Sequence, residues 1–238
     1  MLFFDPMYLL FLLPGMALAA WAQWRVHSAY AKASQIRPQC GYNGAETAAA
    51  ILQAQGIENV QIEPSTGGML SDHYDPAHKV LRLSPDVGGG QSLAAVGIAA
   101  HEVGHAIQDA QRYPLLVMRN ALVPMANFGS NASWIIFMVG FALAWANMAF
   151  AGRIFLYAGI AIFSITVLFQ LVNLPVEFDA SRRARIVLQD TGLVTAEEDR
   201  QVAKVLNAAA MTYVAATLTA ILQLAYWLFR SGVLRSRD

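Results

Sequence analysis

The amino-acid sequence predicts a mainly α-helical, multi-pass membrane protein with about four transmembrane helices and a small β-sheet outside them. Of its 238 residues, 56% are hydrophobic and only 13% are charged, whereas charged residues make up roughly a quarter of a typical soluble domain. The apolar residues gather in long, almost uncharged stretches of about the 20 residues that a helix needs to cross a bilayer. These two observations favour a membrane protein over a soluble one.

The first predicted span is the apolar run Leu2–Trp24, which is followed by Arg25. The alternative is a cleaved signal peptide, because Ala17-Leu18-Ala19 resembles a cleavage site. A basic leading segment is missing, however, and Asp5 stands where lysines would be expected. We therefore predict a retained membrane helix.

The polar segment after this span predicts a short helix and a small sheet of two or three strands. Asn43 is a good N-cap for a helix over Ala45–Gln55. The alternating stretch Ile57–Glu63 and the shorter Lys79–Leu83 are the predicted strands, with a turn-rich stretch between them. Pro85–Gly90 is predicted to be a glycine-rich connector.

Two uncharged stretches later in the chain, Ser133–Ala151 and Ile154–Leu174, predict a transmembrane hairpin around a minimal turn at Gly152-Arg153. The stretch before them, Leu115–Phe128, is predicted to be amphipathic or interfacial.

The C-terminal part predicts two more helices. Pro175 is expected to begin a second polar helix, which Gly192 closes. A capping box from Thr195 to Glu198 begins the last helix, which continues into an apolar span. The predicted order is a transmembrane helix (1–24), an extramembrane segment (25–132), a transmembrane hairpin (133–174), an extramembrane helix (175–206), a fourth transmembrane helix (207–229) and a tail (230–238).

The stretch from Ala99 to Gln108 contains the pattern His-Glu-x-x-His on a helix that Ser92 is predicted to cap. Residues four apart lie on one helix face, so His101 and His105 can bind one metal ion. Glu102 is one position further round, where it can act on a water molecule held by that ion. The alternative, a pair of hydrogen-bonded core histidines, leaves this glutamate unexplained.

A catalytic zinc ion takes three protein ligands and leaves one coordination position open. The residues alone leave three candidates for the third ligand: Glu177 in the predicted first turn of the polar helix, its neighbour Asp179, and His73 in a polar cluster. A first-turn carboxylate can also simply match the helix dipole. Ser181 lies four residues after Glu177, on the same predicted helix face, and could hydrogen-bond a ligand.

Three motifs resemble the YugP-like family of neutral zinc metallopeptidases: Ser71-Asp72-His73-Tyr74-Asp75-Pro76, Ala100–Gln108 and Pro175–Ser181. In layout this family is similar to the HtpX-type membrane proteases and the CAAX prenyl proteases. The resemblance implies a gluzincin-like HExxH metalloprotease domain with Zn²⁺ as its cofactor. It also implies that Glu177 is the third ligand, because a later helix of those proteases supplies it from a Glu-x-x-x-Asp motif. Ser181 departs from that motif, since it stands where those proteases have aspartate.

The resulting prediction is an integral membrane zinc endopeptidase that hydrolyses peptide bonds of membrane-associated proteins or peptides. Its metal ligands are His101, His105 and Glu177, and its catalytic base is Glu102. Two further side chains, His73 and Arg182, are candidates to stabilise the oxyanion of the transition state.

Two other classes of function remain open. One is a non-proteolytic membrane scaffold or chaperone with a structural or vestigial metal site, in which Glu102 would have no purpose. The other is a transporter, which the near absence of charged residues from the predicted spans disfavours.

The charges indicate the partners and the location. Sixteen basic and 16 acidic residues give a net charge of zero, so we expect no nucleic acid as a partner. The apolar spans and the predicted activity lead us to expect the lipid bilayer and a protein or peptide substrate as partners. The single cysteine, Cys40, cannot form a disulfide within the chain. Segments 25–132 and 175–206 hold 12 of the 16 basic residues. Basic residues concentrate on the cytoplasmic side, so we expect the site to face the cytoplasm from a bacterial inner membrane.

Overall fold

The computed structural model describes residues 6–67 and 71–232. The predictions for Asp5 and for the tail after Gly232 lie outside the described residues. Along the chain the elements are α1 (Pro6–Ala33), α2 (Gly44–Ala54), β1 (Gln61–Pro64), β2 (His73–Asp75), β3 (Val80–Leu83), α3 (Pro85–Gly88), α4 (Leu93–Ala110), α5 (Pro114–Trp145), α6 (Ala149–Asp190) and α7 (Ala196–Arg230).

The predicted fold class is confirmed. The chain is mostly helical, with one small sheet, and α1, α5, α6 and α7 are each long and apolar enough to cross a membrane. Each of these helices extends beyond its predicted apolar run at one end or both, but α5 ends at Trp145, six residues before the end of the predicted run Ser133–Ala151. The limits of the membrane-spanning parts within them stay predictions.

The chain forms two compact units. We call residues 6–20, 118–174 and 213–232 the membrane unit, and residues 21–117 and 175–212 the polar unit. Every candidate site residue belongs to the polar unit.

The membrane unit has an aromatic core. Phe137 stacks on Trp227, with ring centroids 4.1 Å apart, and both side chains are almost completely buried. Helices α5 and α6 pack closely, because a Cβ atom added to Gly152 would lie 2.8 Å from the carbonyl oxygen of Gly140. Small residues allow helices to approach in this way.

Gly152-Arg153 is not the hairpin turn that the sequence predicts. The chain turns at Ala146–Met148 instead, where Asn147 adopts a φ of 60°, a conformation that asparagine tolerates better than most residues. Gly152 and Arg153 lie inside α6. The glycine serves helix packing rather than the turn.

The prediction that Pro175 begins a new helix is wrong. Pro175 lies inside the 42-residue helix α6. Proline removes one backbone hydrogen bond from a helix, yet packing against neighbouring helices lets such a helix continue.

The polar unit has its own core around α4, which is apolar on most of its surface. Leu93, Val96 and Val103 of this helix are 0% exposed. They belong to a cluster that includes residues of α2, the sheet, α6 and α7.

The sheet has the order β1-β3-β2, in which β1 pairs parallel to β3 and β2 pairs antiparallel to β3. A small sheet is therefore confirmed, although β1 begins only at Gln61. The three-residue strand β2 comes from the stretch that the sequence indicates as turns, because three residues are too few to show a period of two. Part of the predicted connector after β3 is the short helix α3.

Candidate metal centre

Helix α4 begins as predicted and places the two histidines on one face. Ser92 caps the helix by accepting a hydrogen bond from the backbone N–H of Ala95 at 3.2 Å. The rings of His101 and His105 are 4.9 Å apart and meet edge to face. Their Nε2 atoms both point towards one carboxylate of α6.

That carboxylate belongs to Glu177. Its Oε2 atom lies 3.3 Å from Nε2 of His101 and 3.6 Å from Nε2 of His105. One potential ligand atom from each of these residues lies within 4.8 Å of the other two, and among the described residues this is the group that could hold a metal ion. The three side chains are 15%, 9% and 3% exposed in the order His101, His105 and Glu177.

A close approach of two helix backbones makes this geometry achievable. Gly104, between the two histidines, faces Ala180 of α6, and a Cβ atom added to the glycine would lie 2.5 Å from the carbonyl oxygen of Ala180. The two wildcard positions of the His-Glu-x-x-His pattern are therefore not equivalent here, since the second must be glycine for this contact.

The donor atoms fit a zinc ion. Nδ1 of His101 lies 3.1 Å from the hydroxyl of Ser181, and Nδ1 of His105 lies 3.0 Å from Oε1 of Gln108. With the Nδ1 atoms engaged, the Nε2 atoms are left to face the Glu177 carboxylate. Two imidazole nitrogens and one carboxylate oxygen form one of the usual ligand sets of catalytic zinc.

Glu102 lies beside the three-residue group and is held from another element. The backbone N–H of Tyr74, in strand β2, donates to Oε2 of Glu102 at 3.1 Å. Removal of the carboxyl group from water raises its pKa to about 7. The strand therefore fixes one oxygen of the candidate base.

The other candidates for the third ligand are placed elsewhere. Asp179 binds Gln108 and the guanidinium groups of Arg182 and Arg183, and it is outside the three-residue group. Burial by itself would raise the pKa of Asp179, but the hydrogen bonds from these partners together lower that pKa below its usual value. His73 is exposed, with its Nδ1 atom 2.8 Å from the carbonyl oxygen of Ser71.

Of the two candidates for oxyanion stabilisation, neither belongs to the three-residue group. Arg182 is 67% exposed and is paired with Asp179, and the His73 ring is exposed beside Ser71. Their role in catalysis stays a prediction.

Two residues at the site were not singled out from the sequence. Gln108 is the only amide in a run of apolar residues after His105, and a buried amide one turn from a ligand was an available signal. Tyr74 contributes through its backbone, which no side-chain pattern indicates.

Comparison with known proteins places this chain in a family. A family model described as "Putative neutral zinc metallopeptidase" matches residues 8–232. The chain belongs to this family. It is 40% identical over 218 residues to the "Putative membrane protease YugP" of Bacillus subtilis (strain 168), which covers 92% of this chain and 93% of that protein. No solved structure matches the chain.

Membership in the zinc metallopeptidase family confirms the resemblance seen in the three sequence motifs. The matched region includes both helices that bring the candidate ligands together. The two descriptions support a membrane protease that uses zinc.

Proposed function

We propose that the protein is an integral membrane zinc endopeptidase. The observation that supports this most strongly is the convergence of His101, His105 and Glu177 from two helices, with Glu102 one residue from the first ligand. In a purely structural site the neighbouring carboxylate would have no task.

The three-residue group would hold the zinc ion, and the chain would supply the acid–base chemistry. When bound there, zinc would polarise a peptide carbonyl and lower the pKa of a water molecule. The role of Glu102 would be to accept a proton from the attacking water. The same carboxyl group then donates the proton to the amine that leaves.

The sheet offers a way to bind the substrate chain. Strand β2 is at one edge of the sheet, and its central residue Tyr74 lies beside Glu102. The Tyr74 N–H already donates to Glu102, so a substrate strand would have to bond the other main-chain groups of this edge. An extended peptide that pairs with a sheet edge gains main-chain hydrogen bonds whatever its sequence. We propose that the substrate lies extended along this edge, next to the catalytic base.

Substrates are proposed to be membrane-associated proteins or peptides. Glu177 follows the uncharged stretch Ile154–Leu174 by only three residues within α6, which is about 5 Å of helix. By the distribution of basic residues, the site faces the cytoplasm from a bacterial cell membrane.

The first experiment tests the base. In purified, detergent-solubilised protein, Glu102→Gln should keep its zinc but cleave an unfolded casein substrate about 10²–10⁴-fold more slowly, because the proton acceptor is lost. Glu58→Gln, which neutralises an exposed carboxylate of the same unit, is the matched control and should cleave like the parent protein.

Equal cleavage by Glu102→Gln and the parent would refute this mechanism. Zinc in the parent protein without any cleavage would instead support the non-proteolytic scaffold or chaperone.

A further inference from the structure

The side chain of Gln108 is completely buried in the last part of α4, one turn after His105. Both polar atoms of its amide group have hydrogen-bond partners. Its Nε2 atom donates to the carbonyl oxygen of Val176 at 2.8 Å and to Oδ2 of Asp179 at 3.0 Å, and its Oε1 atom lies 3.0 Å from Nδ1 of His105. A buried amide in an apolar helix is costly unless it is satisfied in this way.

These partners determine which way the amide points. A backbone carbonyl and a carboxylate can only accept hydrogen bonds, so both must face the NH₂ group of Gln108. Its oxygen must then face His105. Because that oxygen can only accept, Nδ1 of His105 has to carry the hydrogen, which leaves the lone pair on Nε2, the atom that faces Glu177.

The acceptor that orients the amide is itself anchored. Asp179 is the partner of the guanidinium groups of both Arg182 and Arg183, and Arg183 also donates to Gln111 directly after α4. The two guanidinium groups therefore fix the position of the Asp179 carboxylate that accepts from the amide.

The same amide joins the two helices that bear the ligands. Val176 and Asp179 stand on either side of Glu177 in α6, whereas His105 is in α4. We propose that Gln108 is a positioning residue of the metal centre, which selects the His105 tautomer that binds zinc and holds the Glu177 turn of α6 against α4. This inference rests on the proposed zinc site.

The test compares zinc affinities of full-length variants in detergent, measured by competition with a chelator. Gln108→Leu keeps the approximate volume but removes the orienting oxygen and both donors. Zinc affinity should fall about 10–100-fold, as for other partners of ligating histidines. The absorption spectrum of the Co²⁺-substituted variant should change as well, because the histidine ligand is no longer oriented.

The matched control is Thr47→Val. Thr47 is equally buried in the polar unit, in α2, and its hydroxyl donates to the carbonyl oxygen of Asn43. This variant should lose thermal stability but keep the parent zinc affinity and Co²⁺ spectrum, which separates positioning of a ligand from general packing.

A charge exchange tests the orientation itself. Gln108→Glu places a second carboxylate against Asp179 with no hydrogen between them, so zinc affinity should fall below that of the parent. Adding Asp179→Asn restores a donor to that contact, and the double variant should bind zinc more tightly than Gln108→Glu alone.

Parent-like zinc affinity and an unchanged Co²⁺ spectrum in Gln108→Leu would overturn the inference while leaving the proposed peptidase intact. A double variant no better than Gln108→Glu would overturn the role of Asp179. A parent protein that binds no zinc would overturn the proposed function and this inference together.

Discussion

Each imidazole of the candidate site is held at Nδ1 by an uncharged side chain. The hydroxyl of Ser181 serves His101 and the amide of Gln108 serves His105. A carboxylate partner would make the imidazole more basic, whereas a neutral partner fixes its orientation without adding charge. With Glu177 as an anionic ligand, neutral partners add no further negative charge at the two Nδ1 atoms.

Strand β2 positions the candidate base, because the backbone N–H of Tyr74 donates to Glu102. The next residue, Asp75, fixes the strand in place. Asp75 accepts hydrogen bonds from Nδ1 of His78 at 2.7 Å, from Arg82 at 3.2 Å and from the backbone N–H of Ala77 at 3.0 Å. The His78 side chain, followed by the backbone and Arg82 contacts, holds the pKa of Asp75 well below its usual range.

The sign of the resulting pH dependence follows from this lowered pKa. A carboxyl group with a lower pKa in the folded state stabilises the fold fully above its unfolded pKa, which is about 4, and loses that contribution as the pH falls below it. Asp75→Asn should therefore lower the thermal midpoint by a few degrees at pH 7, and the difference from the parent should shrink below about pH 4.

Thermal unfolding of both proteins in detergent from pH 7 to pH 3 measures this difference. A gap between variant and parent that stays constant over the whole range would show that the Asp75 contacts contribute no ionic stabilisation.

At the level of elements, the site depends on the contact of α4 with α6 at Gly104. Gly104→Ala puts a methyl group 2.5 Å from the carbonyl oxygen of Ala180, and a backbone atom cannot move aside as a side chain can. We expect a loss of about 1–3 kcal/mol of stability, typical of overpacking, together with weaker zinc binding because the ligand-bearing helices are forced apart.

Gly97→Ala is the matched control in the same helix. Its added Cβ would meet a side-chain methyl group of Val202 at 3.0 Å, which can yield, so its effect on zinc binding should be small. Equal zinc affinities of Gly104→Ala and the parent would contradict the importance of the close contact.

The elements also show what could be predicted from the sequence. The helix-capping signals were reliable: Asn43, Ser92 and Thr195 cap helices as their side chains suggest. The spacing of His101 and His105 likewise places them on one face. The family resemblance pointed to Glu177, which the structure brings to them across 72 residues of chain.

Features that depend on tertiary contacts could not be predicted in this way. The sequence predicts a helix start at Pro175 because proline is unfavourable inside a helix. Packing against neighbouring helices overrides this preference, and packing cannot be seen in the local sequence. Gly152 reads as a turn residue because nothing local reveals the neighbouring carbonyl of Gly140. Two of the three partners of Gln108 come from α6, so the pattern of α4 can single out this amide but cannot show what it contacts.

For the whole molecule, the proposed orientation can be tested with the single cysteine of the chain. Cys40 is partly exposed in the polar unit, so a membrane-impermeant maleimide should label it only after cells are permeabilised. In a Cys40→Ala background, Ala146→Cys at the turn between α5 and α6 should be labelled in intact cells. The reverse pattern would place the site outside the cytoplasm.

The central claim is that residues on either side of the hydrophobic hairpin bind one zinc ion, with Glu177 as the third ligand. Metal analysis of the purified protein tests it most directly. We predict one zinc ion per chain in the parent and in His73→Ala, and loss of zinc in Glu177→Ala. Full zinc occupancy in Glu177→Ala, with loss in His73→Ala, would contradict the account.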